Sequence, residues 1–301
     1  MKDYSKYAGI IPAFYACYDE KGDISPKAVR ELTEYYIAKG VKGLYVGGSS
    51  GECIYQHPDE RKAVLEAVMS EAKGKITVIA HVACNNTADS VELAAHAEKC
   101  GVDAIAAIPP IYFHLPNYAI ADYWNAMSAA APNTEFVIYN IPQLAGVALS
   151  PSLFKKMREN PNVIGVKNSS MPVQDIEMWR DEGAIVFNGP DEQLLSGLAA
   201  GAIGGIGGTY GVMPELYLAI YRLFNEGNIA SAREIQDECC HVIYKMCSGT
   251  GNMYAMIKAI MLEREGIEVG SVRAPLCELQ PEDMSIVREC AQKITELIAA
   301  L

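Results

Sequence analysis

The chain is poor in several things that would narrow its function quickly. It has 25 Lys and Arg against 37 Asp and Glu, a net charge of -12. Nucleic acid and anionic membranes are held by basic patches, so neither is an expected partner. No run of eighteen apolar residues occurs, which excludes a transmembrane helix, and the opening "MKDYSKYAGII" lacks the apolar core of a signal peptide. Nine cysteines show no C-x-x-C spacing. Without a signal they read as thiols of a soluble, cytoplasmic chain and not as a disulfide framework. The five histidines form neither H-E-x-x-H nor H-x-H, so no metal site is expected. "GGSSGE" lacks the Gly-Lys-Ser/Thr ending of a Walker loop, and "GAIGGIGGTYG" misses the G-x-G-x-x-G spacing, which speaks against a dinucleotide cofactor.

What the chain does have is alternation. Eight short apolar runs recur: "GIIPAFYA", "GLYVGGSS", "ITVIAHVA", "AIAAIPPI", "EFVIYNIP", "VIGVKNSS", "AIVFNGPD" and "AIGGIGGTY". Between them lie amphipathic stretches such as "PKAVRELTEYYIAKG" and "TADSVELAAHAEKCG", several ending in the glycine that commonly follows a helix. Continuous apolar strands alternating with helices imply a parallel sheet covered on its faces. Eight such units fit a closed (β/α)8 TIM barrel. No linker or low-complexity stretch divides the chain, so a single domain is expected: a barrel over about 8–213 and a C-terminal helical extension over about 214–301.

Active sites of such barrels gather at the C-terminal ends of the strands. The residues there are Ser49, Ser50 and Glu52 after the second run, Tyr112 after the fourth and Tyr139 on the fifth. Lys167 and Ser169 follow on the sixth, Gly189, Asp191 and Glu192 on the seventh, and Gly208 and Thr209 on the eighth. Lys167 lies inside an apolar run, where lysine is expensive to bury. Desolvation there lowers its pKa and frees an amine to attack a carbonyl. Tyr139 ends the neighbouring strand, and its phenol is placed to move the protons that imine chemistry requires. The backbone N–H groups and hydroxyls of "GGSSGE" suit a carboxylate or phosphate. Asp191 has two compatible readings, an N-cap for the helix that follows and an acceptor for sugar hydroxyls.

The motifs "YVGGSSGE", "YNIPQLAGV", "GVKNSS", "NGPDE" and "GGIGGTYG", in this order and spacing, resemble those of the N-acetylneuraminate lyase and dihydrodipicolinate synthase family of class I aldolases. The resemblance covers most of the chain, up to "APLC" at 274–277. It implies a homotetramer that handles small molecules, sialic acid and pyruvate, without metal or cofactor. It implies a Schiff base on Lys167 and proton transfer by Tyr139. Ser49 and Ser50 would hold the pyruvate carboxylate, with Ser49 in the relay. Tyr112 would serve as a second relay tyrosine, which in relatives can cross from a neighbouring subunit. The synthase branch carries an arginine shortly after Y-N-x-P; here Gln143, Leu144 and Ala145 follow instead. The lyase branch, which cleaves sialic acid reversibly to pyruvate and N-acetylmannosamine, is therefore expected, with dihydrodipicolinate synthesis or another sugar-acid aldolase as the alternative. Ser169, Gly189, Asp191, Glu192 and Gly208 would then face the polyol. Ser50 and Ser169 stand where such lyases commonly have threonine, and Gly208 where they commonly have serine. A noncatalytic sugar-acid binding protein is the rival from another class, and retention of both Lys167 and Tyr139 counts against it.

Overall fold

A computed structural model describes residues 3–301. Eight parallel strands run in the order β1-β8-β7-β6-β5-β4-β3-β2. They are β1 (Ile10–Pro12), β2 (Gly43–Val46), β3 (Thr77–His81), β4 (Ala104–Ala107), β5 (Glu135–Asn140), β6 (Val163–Asn168), β7 (Ile185–Asn188) and β8 (Gly204–Gly207). A parallel bridge from Ala13 to Tyr45, with the Phe14 amide donating to the Tyr45 carbonyl at 2.9 Å, closes the sheet between β1 and β2. The result is the TIM barrel, each strand falling within one of the eight apolar runs.

The strands read as continuous apolar runs because both faces are buried. Outward side chains such as Leu44, Val46, Ile105, Ile138, Val166 and Val186 join the layer beneath the helices. Inward ones, among them Ile11, Tyr45, Ile79, Val137, Tyr139, Phe187 and Ile206, fill the barrel. Each large side chain so buried contributes about 1.5–3 kcal/mol. Where β8 passes the chain before β1, a Cβ on Gly204 would strike the Gly9 backbone, so only glycine allows that approach.

The helices form where the sequence supplies stops and starts. For α1 (Pro26–Lys39), the Ser25 hydroxyl accepts from the Ala28 amide and Pro26 opens the first turn. It ends at Gly40, whose φ of 78° is left-handed. Its buried stripe is Ala28, Val29, Leu32, Thr33 and Tyr36. Helix α3 (Thr87–Cys100) repeats the pattern, with Asn86 accepting from the Asp89 amide and Gly101 ending it at φ 84°, while α2 (Pro58–Ala72) and α4 (Asn117–Ala130) close on Lys73 and Ala131 instead of glycine. The short α5 (Pro142–Ala145) and α6 (Pro151–Met157) precede β6, with α7 (Asp175–Asp181) and α8 (Leu194–Ala199) after it.

The boundary expected at 214 moves. Helix α9 (Pro214–Asn225) packs against β1 and α8, and Glu215 on it pairs with Lys39 at the end of α1. It therefore completes the outer ring. The extension is α10 (Ile229–Cys247), α11 (Met253–Glu265) and α12 (Asp283–Ala299). Helix α10 lies on the turn that follows β7: Gln236 donates to the Asp191 carbonyl at 3.1 Å and accepts from the Leu195 amide at 3.2 Å. Among the described residues, no helix is long and apolar enough to cross a membrane.

Candidate active site

Parallel register sets Tyr139 of β5 directly beside Lys167 of β6, and alternation turns both inward at the strand ends. The Lys167 ammonium sits 3.9 Å from the centre of the Tyr139 ring and 4.2 Å from that of Tyr45. Among the described residues, no carboxylate comes within ion-pair distance of it. Burial disfavours its charged form and brings its pKa down to about 7, against a smaller opposing pull from Asp191. About half the population then carries a free amine at neutral pH.

Tyr139 moves the other way. Burial pushes its phenol up to about 12, while the Ser49 and Ser169 hydroxyls partly offset this. It is thus a protonated donor at rest, with its ring edge-on to Tyr45 at 5.7 Å and to His81 at 6.0 Å. His81 cannot share the task. Its Nε2 accepts from the Ile108 amide at 3.3 Å, which assigns the proton to Nδ1, 2.9 Å from the Gly47 carbonyl. Burial and the nearby Arg61 guanidinium keep that imidazole neutral.

The loop after β2 turns at Gly47 and tightens into a single turn over Ser49–Gly51. The amides of Gly51 and Glu52 fold back onto the Gly48 and Ser49 carbonyls at 3.0 Å. Those of Ser49 and Ser50 donate to no backbone acceptor among the described residues. Two open N–H groups and two hydroxyls therefore border the space above Lys167, the arrangement an anion requires.

That space is a cavity of about 380 Å³ at the C-terminal mouth of the barrel. Ser49, Ser50, Tyr139, Lys167, Ser169, Gly189, Asp191, Glu192 and Gly208 all line it. Lys167 is the sole basic side chain among its lining residues, and Gln143 and Leu144 stand uncharged at its edge. Among the described residues no group of His, Cys, Asp and Glu could hold a metal ion.

Two expectations narrow. Tyr112 is absent from the cavity wall; it is 86% exposed on the loop after β4, edge-on to Phe113. On that loop its phenol lies outside the pocket of its own chain, one of the two placements that the resemblance left open. Asp191 is not an N-cap: Pro190 occupies that position, and Asp191 opens a short turn over Asp191–Gln193. Its carboxylate instead accepts from the Thr209 amide at 2.5 Å and hydroxyl at 2.6 Å. Burial, outweighing those bonds, pushes it up to about 6, so it is ionised above that pH.

The extension supplies walls that no motif announced. Ile243 and Cys247 of α10, Asn252 just before α11, and Met253, Tyr254 and Ile257 of α11 line the cavity. The Ser50 hydroxyl interacts with the Tyr254 phenol. These residues sit some seventy-five to ninety positions beyond Lys167, on or beside ordinary amphipathic helices, so no local signal marks them. A Cβ on Gly208 would meet only Ser50 Oγ at 3.3 Å, with Tyr254 and Asp191 farther off, which leaves open volume there.

A pH profile tests the lysine. Imine formation with pyruvate, trapped by cyanoborohydride, should fall about tenfold per unit below pH 6 and level off above pH 8, since only the free amine attacks. A midpoint near 10, that of an ordinary lysine, would show that burial does not act as described.

The family model for the dihydrodipicolinate synthetase family matches residues 6–294. The chain belongs to the dihydrodipicolinate synthetase family. Among its relatives, the N-acetylneuraminate lyase of Mediterraneibacter gnavus is 66% identical over 98% of this chain and 95% of its own length. The N-acetylneuraminate lyase of Escherichia coli strain SMS-3-5 is 36% identical over 96% of this chain and 97% of its own. In structure, a Ruminococcus gnavus sialic acid aldolase described as a catalytic lysine mutant superposes with a TM-score of 0.98, at 66% identity and 98% coverage of both chains. A dihydrodipicolinate synthase also superposes at 0.88, with 26% identity over 96% of this chain and 99% of that one. Both kinds of enzyme share the dihydrodipicolinate synthetase family barrel. The side chains at the cavity's edge must separate them.

Proposed function

We propose that this protein is a class I aldolase that cleaves N-acetylneuraminate reversibly to pyruvate and N-acetylmannosamine through an imine on Lys167. The observation that carries the reading is the buried amine of Lys167, in register with the Tyr139 phenol below an open anion loop.

In the forward direction the Lys167 amine adds to the keto carbon of the open-chain sugar acid. Tyr139 protonates the departing hydroxyl, giving an iminium and a phenolate. The phenolate takes the proton of the C4 hydroxyl as the C3–C4 bond breaks. The bonding pair flows into the iminium, leaving an enamine and the aldehyde of N-acetylmannosamine. Protonation at C3 by the restored phenol and hydrolysis of the imine release pyruvate. The Ser49 and Ser50 amides and hydroxyls hold the carboxylate throughout, and Ser169, Asp191 and Glu192 face the polyol.

Substrate choice follows from charge. Asp191 and Glu192 suit hydroxyl donors and would repel a carboxylated aldehyde. No cation stands at Gln143 or Leu144 to pair with one. Pyruvate release from N-acetylneuraminate should therefore far outrun condensation of pyruvate with aspartate semialdehyde. The reverse ranking would overturn the branch while leaving Lys167 chemistry intact.

The reading includes a cytoplasmic homotetramer. Nine cysteines free of disulfides suit a reducing compartment. Tyr112, Phe113, Leu115 and Tyr118 are exposed along one segment, an apolar surface that a second copy would cover while bringing Tyr112 to a neighbouring pocket. A sedimentation mass of one chain at micromolar concentration would remove this part of the proposal.

A further inference from the structure

Below the anion loop lies a charged pair that the chemistry above does not use. Glu52 and Lys258 are both almost fully buried, and the Lys258 ammonium donates to Glu52 Oε1 at 2.8 Å and to the Ser271 carbonyl at 2.7 Å. Glu52 Oε2 accepts from the Arg273 amide at 2.8 Å and the Tyr18 hydroxyl at 3.2 Å. Arg273 in turn grips Glu60 on α2 with two bonds of 2.8 and 2.9 Å, and the Tyr55 carbonyl at 2.9 Å. One node thus ties the loop after β2, the start of α2, helix α11 and the segment 271–273.

Its placement relative to the cavity is what matters. Glu52 follows Ser50 by two residues and holds a left-handed conformation, φ 51° and ψ 33°, which costs a side chain other than glycine about 1 kcal/mol. Something must hold it there, and the three bonds to its carboxylate do. Lys258 follows Tyr254 by four residues on α11, so both project from the same helix face. The pair therefore clamps the chain two residues beyond Ser50 and four beyond Tyr254, which both line the cavity and interact through their hydroxyls. A buried ion pair stabilises a fold weakly, because desolvation offsets the attraction. Its geometry is the stronger effect.

We propose that Glu52 and Lys258 are positioning residues that set the keto-acid carboxylate subsite, by fixing the Ser49–Ser50 amides against Tyr254. The role rests on the imine reading of Lys167. It predicts a split between affinity and rate: loss of the clamp misplaces the carboxylate donors but leaves the amine and Tyr139 where they are.

The experiment is cyanoborohydride trapping of pyruvate by the full-length protein across pyruvate concentrations, for wild type, Glu52→Gln, Lys258→Met and the double variant. Half-saturating pyruvate should rise about tenfold in each variant while the saturated trapping rate changes less than about threefold, the loss expected for a displaced charge-binding hydrogen bond. A field effect on the pyruvate anion would move the two single variants in opposite directions, so a rise in both separates positioning from electrostatics. Each single variant leaves one buried charge without its partner and can lose stability for that reason alone. The double variant leaves neither, so its melting temperature should recover while its half-saturation stays raised. Half-saturation restored to the wild-type value in the double variant would overturn the proposal. So would its failure to fold, which would make the pair a requirement of the fold. Absence of trapping in the wild type would instead overturn the imine reading itself.

Discussion

Lys167→Ala should show no turnover above the uncatalysed background and no adduct with pyruvate under borohydride. The wild type should gain a stable mass on the peptide containing "VIGVKNSS". The size of the effect follows from the lining of the cavity, where no second basic side chain can replace the nucleophile. General acid–base help or a well-placed carboxylate site cannot compensate, because without the covalent imine there is no electron sink for the breaking bond. The fold should survive. Burial of the ammonium is unfavourable, as its lowered pKa records, so removing it relieves a desolvation cost even as it opens a small space. Unchanged far-ultraviolet circular dichroism with lost trapping is the expected pair of results; normal turnover would refute the mechanism.

Tyr139→Phe ranks second. The substitution keeps the ring, with its edge-on packing on Tyr45 and His81, and removes only the hydroxyl. Proton transfer by a placed side chain is worth about 10²–10⁴ in rate, so kcat should fall by about a hundredfold or more. The substrate is held chiefly by other groups, so KM should move little. Nor does its own chain offer an obvious substitute: both nitrogens of His81 are engaged, and Tyr112 does not line this pocket. An unchanged rate at saturating substrate would make Tyr139 a packing residue.

How much of this was legible in the chain depends on how local the cause is. The eight strands were, since burial on both faces leaves uninterrupted Val, Ile and Ala runs between helix stops such as Gly40 and Gly101. Residues at strand ends were legible as candidates by the same logic, and all but Tyr112 and Glu52 line one cavity. Of the two readings of Asp191 the N-cap one fails, because the choice between its own turn and Thr209 depends on where β8 runs, which no neighbour in sequence reveals. The last barrel helix was assigned to the extension because an amphipathic helix carries no mark of the surface that it covers.

By itself the sequence determined the alternation of strand and helix, the inward lysine and tyrosine, and the lack of a cation after Y-N-I-P. Each is written in residue type and short-range period, which backbone geometry converts directly into faces and ends. Only the tertiary structure decided that α10 and α11 wall the cavity, that Tyr112 leaves its own pocket, and that Glu52 meets Lys258 206 positions away. Such contacts arise from packing between surfaces distant along the chain. Their free energy comes from shape and desolvation at the meeting point, and that exists only once the barrel has closed.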